Sequence, residues 1–190
     1  VQTYERDKSA VFCKTREQYG GYSNMAAGFP LVVNGVAIRT SEALYQALRF
    51  PAHPEVQREV IEKKSPMAAK MVAKHHAALT RPDWEVIRVP VMWFALRVKL
   101  AQHWRSFGAL LQSSGGLPIV ELSHKDTFWG AVVQPDGTLV GENVLGRLLD
   151  KLRAVSMDES TSHIVVPLPE GVRDLLLLGV QIEPVHASVG

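Results

Sequence analysis

Leu31-Val32-Val33-Asn34-Gly35-Val36-Ala37-Ile38-Arg39-Thr40-Ser41-Glu42-Ala43-Leu44-Tyr45-Gln46-Ala47-Leu48-Arg49-Phe50-Pro51 is the stretch on which the fold turns. Its first half sets Asn-Gly between two β-prone runs, the strongest short hairpin signal, since both turn residues tolerate positive φ. Its second half changes period. Thr40 offers a cap to a helix through Ser41, Glu42, Tyr45, Gln46 and Arg49, stopped before Pro51. A hairpin that hands directly to a helix, with no following βαβ rhythm, predicts an α+β chain rather than a doubly wound sheet.

Upstream, Ala10-Val11-Phe12-Cys13 is a short apolar run in a region that otherwise looks strand-like and loop-like. Downstream the chain turns helical. Pro54 opens a helix toward Lys64, and Ser65-Pro66 supplies a cap and a first-turn proline for another through Met71. Thr80, Pro82 and Asp83 start a longer helix that reaches about His103. On that helix Ile87, Val91, Phe94 and Val98 form one apolar stripe, and Val89, Trp93, Leu96 and Leu100 form a second on much of the opposite side. Two apolar faces mark a central helix. Lys99 sits in the gap between them, beside Met92 and Ala95, and Pro90 either kinks the helix or marks its true beginning.

A further helix is expected around Trp104 to Leu111, broken by Ser114-Gly115-Gly116. Pro118 to Leu122 and Phe128 to Val133 read as short strands, with Pro135-Asp136-Gly137 as a turn. Leu145, Leu148, Leu149 and Leu152 repeat at helical spacing. Met157 to Ser162 reads as a linker. The tail, with Ile164-Val165-Val166 and Val180-Gln181-Ile182, adds a strand or two and a short helical turn. The expected architecture is α+β and mostly helical, one domain over residues 1–155 with a C-terminal extension, residues 156–190, packed on it.

The 190 residues are 46% hydrophobic, enough for a substantial core, and carry a formal net charge of +2. That balance neither demands nor excludes a nucleic-acid partner. Apolar runs such as Leu175 to Leu178 are far too short for a membrane span. The polar start, Val1 to Ala10, carries no secretory signal. Cys13 is the single cysteine, so an intramolecular disulfide and a cysteine-rich zinc site are excluded, and a reducing, cytoplasmic setting is expected. No phosphate loop, dinucleotide fingerprint, zinc-protease helix or serine-nucleophile elbow is present. His75 and His76 are adjacent and point about 100° apart on a helix, poor joint metal ligands.

Six ordered segments carry the functional reading: Tyr22-Ser23-Asn24-Met25, Thr40 to Phe50, Ser65 to Lys70, Ala95 to His103, Asp126-Thr127-Phe128-Trp129-Gly130, and Gly141-Glu142-Asn143-Val144-Leu145-Gly146 with the residues after it. Taken one by one they have ordinary explanations: a turn at Ser23-Asn24, a helix-start carboxylate at Glu42, a core aromatic at Trp129, a cap at Asn143. In order and spacing they resemble the NADAR (YbiA-like) family over roughly Phe12 to Arg153. The chain departs from the family's habits at Met25, Ala43, Arg49 and Leu100; Arg49 keeps a charge but is not an ordinary amine nucleophile.

The resemblance implies a cofactor-free and metal-free N-glycosidase that cuts between a ribose and a nitrogen. Its first expected substrate is ADP-ribosylated guanine in DNA, reversing a DNA ADP-ribosyltransferase toxin. The alternatives are phosphoribosyl-amine intermediates of riboflavin synthesis and a non-catalytic ADP-ribose-binding module. No membrane partner is implied. The matched residues take roles accordingly. Glu42 is the acid/base and electrostatic residue at the anomeric carbon. Lys99, made neutral by desolvation beside other cations, is an amine nucleophile that passes through a Schiff base. Asp126 orients that lysine or a ribose hydroxyl. Tyr22, Ser23, Asn24, Gln46 and Asn143 line the substrate, Arg49 holds a phosphate, Trp129 stacks on the leaving base, and Gly130 and Gly146 allow close approach.

Overall fold

The computed structural model describes residues 1–158 and 165–187. In chain order the elements are β1 (Gln2–Tyr4), β2 (Ala10–Phe12), β3 (Leu31–Val33), β4 (Val36–Ile38), α1 (Ser41–Ala47), α2 (Pro54–Glu62), α3 (Pro66–His75), α4 (Trp84–Gln102) and α5 (Trp104–Ser113). There follow β5 (Ile119–Glu121), β6 (Val132–Val133), β7 (Leu139–Gly141), α6 (Val144–Ser156), β8 (Val165–Val166), β9 (Leu176–Leu177), β10 (Val180–Gln181) and β11 (Val185–His186). Helices dominate and the strands are short, an α+β fold. Among the described residues no helix is long and apolar enough to cross a membrane.

The chain folds as two compact units, each made of two stretches: Val1–Ala26 with His103–Ser162, and Ala27–Gln102 with His163–Gly190. In the first, β7 pairs antiparallel with both β1 and β6, and β2 runs parallel to β5 with Ala10 opposite Ile119 and Phe12 opposite Glu121. Tyr4, Val120, Ala131 and Leu139 pack into a core beneath these strands. Helix α6 lies against β5 and α5.

In the second unit the hairpin forms as its sequence dictates. Leu31 faces Ile38 and Val33 faces Val36, with Asn34 and Gly35 at φ of 50° and 73° in the turn. Thr40 caps α1 by accepting the Ala43 N–H, and Ser65 caps α3 by accepting that of Ala68. Pro54 and Pro66 each stand in a first helical turn. Pro90 lies inside α4. The donor it lacks would have bonded the carbonyl of Val86, a residue 80% exposed near the start of the helix, and the helix continues past it. From Val91 on, α4 is buried on nearly every side, as two apolar stripes require.

Two expectations need correction. Phe128 to Gly130 is a turn, and the strand begins only at Val132. The Asp126 carboxylate accepts the N–H groups of Phe128 and Trp129 and holds the loop closed. The tail holds four short strands, β8 paired with β11 and β9 with β10, and no helical turn among its described residues. Ile164 and residues 159–162 of the expected linker lie outside the described residues; Met157 closes α6.

Candidate active site

Every residue of α1 from Ser41 to Ala47 is buried, so this short helix carries its polar side chains into the second unit's interior. Glu42 is 7% exposed. Burial holds its carboxyl above the ordinary carboxylate range; the Gln46 N–H, then the charges of Lys70 and Arg49, work in the opposite direction. One turn on, Gln46 donates from Nε2 to Glu42 Oε1 at 2.8 Å. Arg49 continues the line, Nη1 donating to Gln46 Oε1 at 3.0 Å and Nη2 to Thr80 Oγ1 at 3.0 Å.

The Arg49 guanidinium faces the rings of Phe50 and Trp84, each centroid 5.6 Å away, and Tyr45 meets Trp84 at 5.0 Å. Its Nε is buried without a hydrogen-bond partner among the described residues. A carboxyl in such surroundings keeps its proton to higher pH than an exposed one. It is chemically equipped to protonate a leaving nitrogen and take a proton back from water.

Lys99, on α4, is 1% exposed, with Nζ 4.7 Å from the Phe29 ring centroid. Burial lowers its amine from 10.5 to about 7. The ring face favours the charged form and opposes that shift. Of the expected desolvation beside other cations, desolvation is the cause that acts, and neighbouring cations are not among the causes. Helices α1 and α4 pack together. The hydrogen-bonded line is nonetheless Glu42, Gln46, Arg49 and Thr80, and the cations acting on Glu42 are Lys70 and Arg49 rather than Lys99.

The remaining candidates belong to the first unit. The Tyr22 hydroxyl donates to the carbonyl of Leu110 at 2.8 Å, and its ring stacks on Tyr19. Ser23 and Asn24 are buried, and Ser23 Oγ accepts the Met25 N–H. Asp126 is exposed and its Oδ1 serves its own loop. Half-buried Trp129 meets Phe128 edge-on at 5.1 Å. Asn143 is wholly buried at a φ of 50°; its Oδ1 accepts the Glu121 N–H at 3.0 Å and its Nδ2 donates to the Ile119 carbonyl at 2.8 Å.

A Cβ on Gly146 would strike that same Ile119 carbonyl, and one on Gly130 would lie 2.6 Å from the Glu121 carbonyl. The carbonyls of Phe128, Trp129 and Gly130 accept the N–H groups of Val144, Leu145 and Asn143, respectively, at the start of α6. Among the described residues no group of three or more His, Cys, Asp or Glu side chains could hold a metal ion.

Residues 11–155 match the family model described as the NADAR domain. The chain belongs to the NADAR family. It is 34% identical to N-glycosidase YbiA of Escherichia coli (strain K12) over 153 residues, which are 80% of this chain and 91% of that protein. It is 31% identical over 167 residues to a riboflavin biosynthesis protein of Vibrio vulnificus (strain YJ016), covering 87% of this chain and 43% of that one. The NMR structure of E. coli YbiA aligns with a TM-score of 0.66 at 32% identity, covering 82% of this chain and 90% of the other.

Within the NADAR framework the second unit thus joins Glu42, Gln46 and Arg49 into one connected group, and the first unit gathers Asp126, Trp129, Gly130, Asn143 and Gly146 around β5 and the start of α6. Two members of the Glu42 surroundings were not singled out by sequence. Lys70 ends the Ser65 to Lys70 segment, whose helical spacing was the available signal, and Thr80 was read only as a helix start.

Proposed function

We propose that this NADAR protein is an N-glycosidase in which Glu42 is the proton donor, acting on ADP-ribosylated guanine in DNA. The single observation that carries the reaction class is a carboxyl that burial shifts toward keeping its proton, in a chain 34% identical to proteins named N-glycosidases. Protonated Glu42 gives its proton to the leaving nitrogen as the C1′–N bond breaks, the bonding pair going to nitrogen. Water adds to C1′ and returns a proton to the Glu42 carboxylate, so the products are a sugar hydroxyl and a free base or amine.

In the covalent version of the reaction, the neutral amine of Lys99 attacks C1′ as the C1′–N bond to the leaving base breaks, its bonding pair going to the base nitrogen, which takes the Glu42 proton. The new ammonium returns a proton to the Glu42 carboxylate; the ring C1′–O4′ bond then opens with O4′ protonated, giving an imine at C1′, and water adds to it to release the sugar and restore the amine. An amine lowered to about 7 is neutral in a large fraction at physiological pH. Both residues must then reach one anomeric carbon. The DNA substrate and the pairing with a DNA ADP-ribosyltransferase toxin rest on the likeness of the long Phe12 to Met25 segment and of Ser41 to Gln46 to that branch of the family; the cytoplasmic setting rests on the single cysteine. The second reading, a phosphoribosyl-amine of riboflavin synthesis, is favoured by the riboflavin biosynthesis proteins among the relatives.

Incubation with guanine-ADP-ribosylated DNA and, separately, with the riboflavin intermediates decides between them. Base release from DNA is expected; amine release alone selects the second reading, and binding without release selects a non-catalytic module. Glu42→Gln is expected to lower turnover by about 100-fold or more, the usual contribution of a general acid. Undiminished turnover removes Glu42 from the chemistry. Borohydride reduction during turnover is expected to leave an adduct on Lys99, and its absence removes the covalent route.

A further inference from the structure

The Gln46 carboxamide has two unlike ends, and only one of them faces Glu42. Its NH2 donates to Glu42 Oε1, while its oxygen is occupied by Arg49 Nη1. Arg49 is in turn held by Thr80, 31 residues along the chain, through Nη2. The same loop is pinned by its main chain, since the Arg81 N–H donates to the Arg49 carbonyl at 2.9 Å. The Arg81 guanidinium then grips both Asp83 oxygens and the carbonyls of Arg173 and Asp174. Both outer nitrogens of Arg49 are therefore directed along the protein's own hydrogen-bonded line.

We propose that Arg49 and Thr80 are positioning residues that lock the Gln46 carboxamide with its N–H end toward Glu42. This rests on the reading of Glu42 as the proton donor. The lock matters because a carboxamide turned over would present its oxygen to Glu42, which welcomes only the protonated carboxyl and would hinder proton release to the leaving nitrogen. The charges that act on Glu42 are those of Lys70, from α3, and Arg49, just beyond the end of α1; Glu85 and Arg88, from α4, act on the adjoining Tyr45 phenol. Loss of Arg49 removes a charge that favours ionised Glu42 and frees the carboxamide to turn. Loss of the Thr80 hydroxyl loosens the guanidinium while leaving its charge. Both changes move Glu42 in one direction, toward keeping its proton.

The experiment follows the Glu42 carboxyl by NMR in protein labelled with 13C-carboxyl glutamate, its resonance assigned by its loss in Glu42→Gln. Thr80→Val, Thr80→Ser and Arg49→Met are compared with the parent after their folding is checked by circular dichroism. The midpoint is expected to rise by about half a pH unit or more in Thr80→Val and further in Arg49→Met, the size of one hydrogen bond of about 1 kcal/mol. Thr80→Ser is expected to restore the parent value. With substrate, Thr80→Val is expected to lower kcat about fivefold with KM within about twofold, and the basic limb of the pH profile moves up with the midpoint.

Unmoved midpoints in Thr80→Val and Arg49→Met overturn the proposal, as does a Thr80→Ser protein as impaired as Thr80→Val. Should Glu42→Gln turn over substrate normally, the reading of Glu42 as the proton donor fails on its own, and the titration still decides whether the lock exists.

Discussion

Lys99 gives the sharpest test of the buried interior, because its cost of burial changes with pH between neutrality and the alkaline range, above the pH at which exposed carboxylates titrate. In the folded protein its amine titrates at about 7, against an ordinary 10.5. Between those values the unfolded chain carries a proton there that the folded chain does not, so unfolding takes one up and stability rises with pH. The cost is full below the folded value and relieved as pH climbs toward the unfolded one. Integrated from about pH 6.5 to about pH 9.5, an amine moved from 10.5 to about 7 contributes a rise of about 3 kcal/mol. Lys99→Met keeps the length and apolar stem of the side chain and removes the titration. Urea unfolding at a series of pH values, for parent and variant side by side, cancels every other titrating group in the difference. The variant is expected to be the more stable protein at pH 6.5, with the two curves converging toward high pH. Parallel curves across this window would refute the claim that Lys99 is held neutral by burial.

Two further predictions concern the first unit. Asn143→Ala removes both bonds to the β5 backbone and leaves the Glu121 N–H and the Ile119 carbonyl without them; a loss of about 2–3 kcal/mol, and a Tm lower by roughly 5–10 °C in a thermal melt, is expected. Gly146→Ala should destabilise by about 2 kcal/mol or more in urea, since its Cβ meets backbone and the Asn143 side chain. Helix propensity alone argues for a gain of about 1 kcal/mol from the same substitution, so the sign of the change is the test.

Local chemistry was legible and distant pairing was not. The Asn34-Gly35 turn, the Thr40 and Ser65 caps and the first-turn prolines each state their structure within a few residues, and each forms. Phe128 to Val133 misleads because an aromatic and β-branched run looks like a strand. What breaks it is the Asp126 carboxylate just before it, together with backbone partners at residues 142–145. Gln57 is wholly buried in the middle of α2 for a reason no window of sequence contains: it bonds the Ala47 and Leu176 carbonyls and the N–H of Leu178, 121 residues away. The tail strands are a different case: β8 finds β11 across the tail, while β9 and β10 form a local hairpin through Leu178 and Gly179 within a short, weakly patterned run. At the site, the α1 period places Glu42, Gln46 and Arg49 on one side of a helix, but only the fold adds Thr80.

The ordered motifs divide by where their polar atoms go. Asp126, Asn143 and the glycines at 130 and 146 answer to backbone: N–H groups and carbonyls of β5, of the loop before β6 and of the start of α6. Backbone contacts of this kind explain why only those residue types fit, without any ligand. Glu42 and Lys99 answer to burial instead. Each is an ionisable group in a place that disfavours its charge, and each is displaced toward neutrality, the acid upward and the base downward. Burying a charge is costly and is not a way to gain stability. An acid that keeps its proton and an amine that has shed one are, however, the two forms that breaking a C–N bond to ribose calls for. That asymmetry, more than the presence of any motif, is what supports the proposal that the chemistry lies on the second unit's helices α1 and α4.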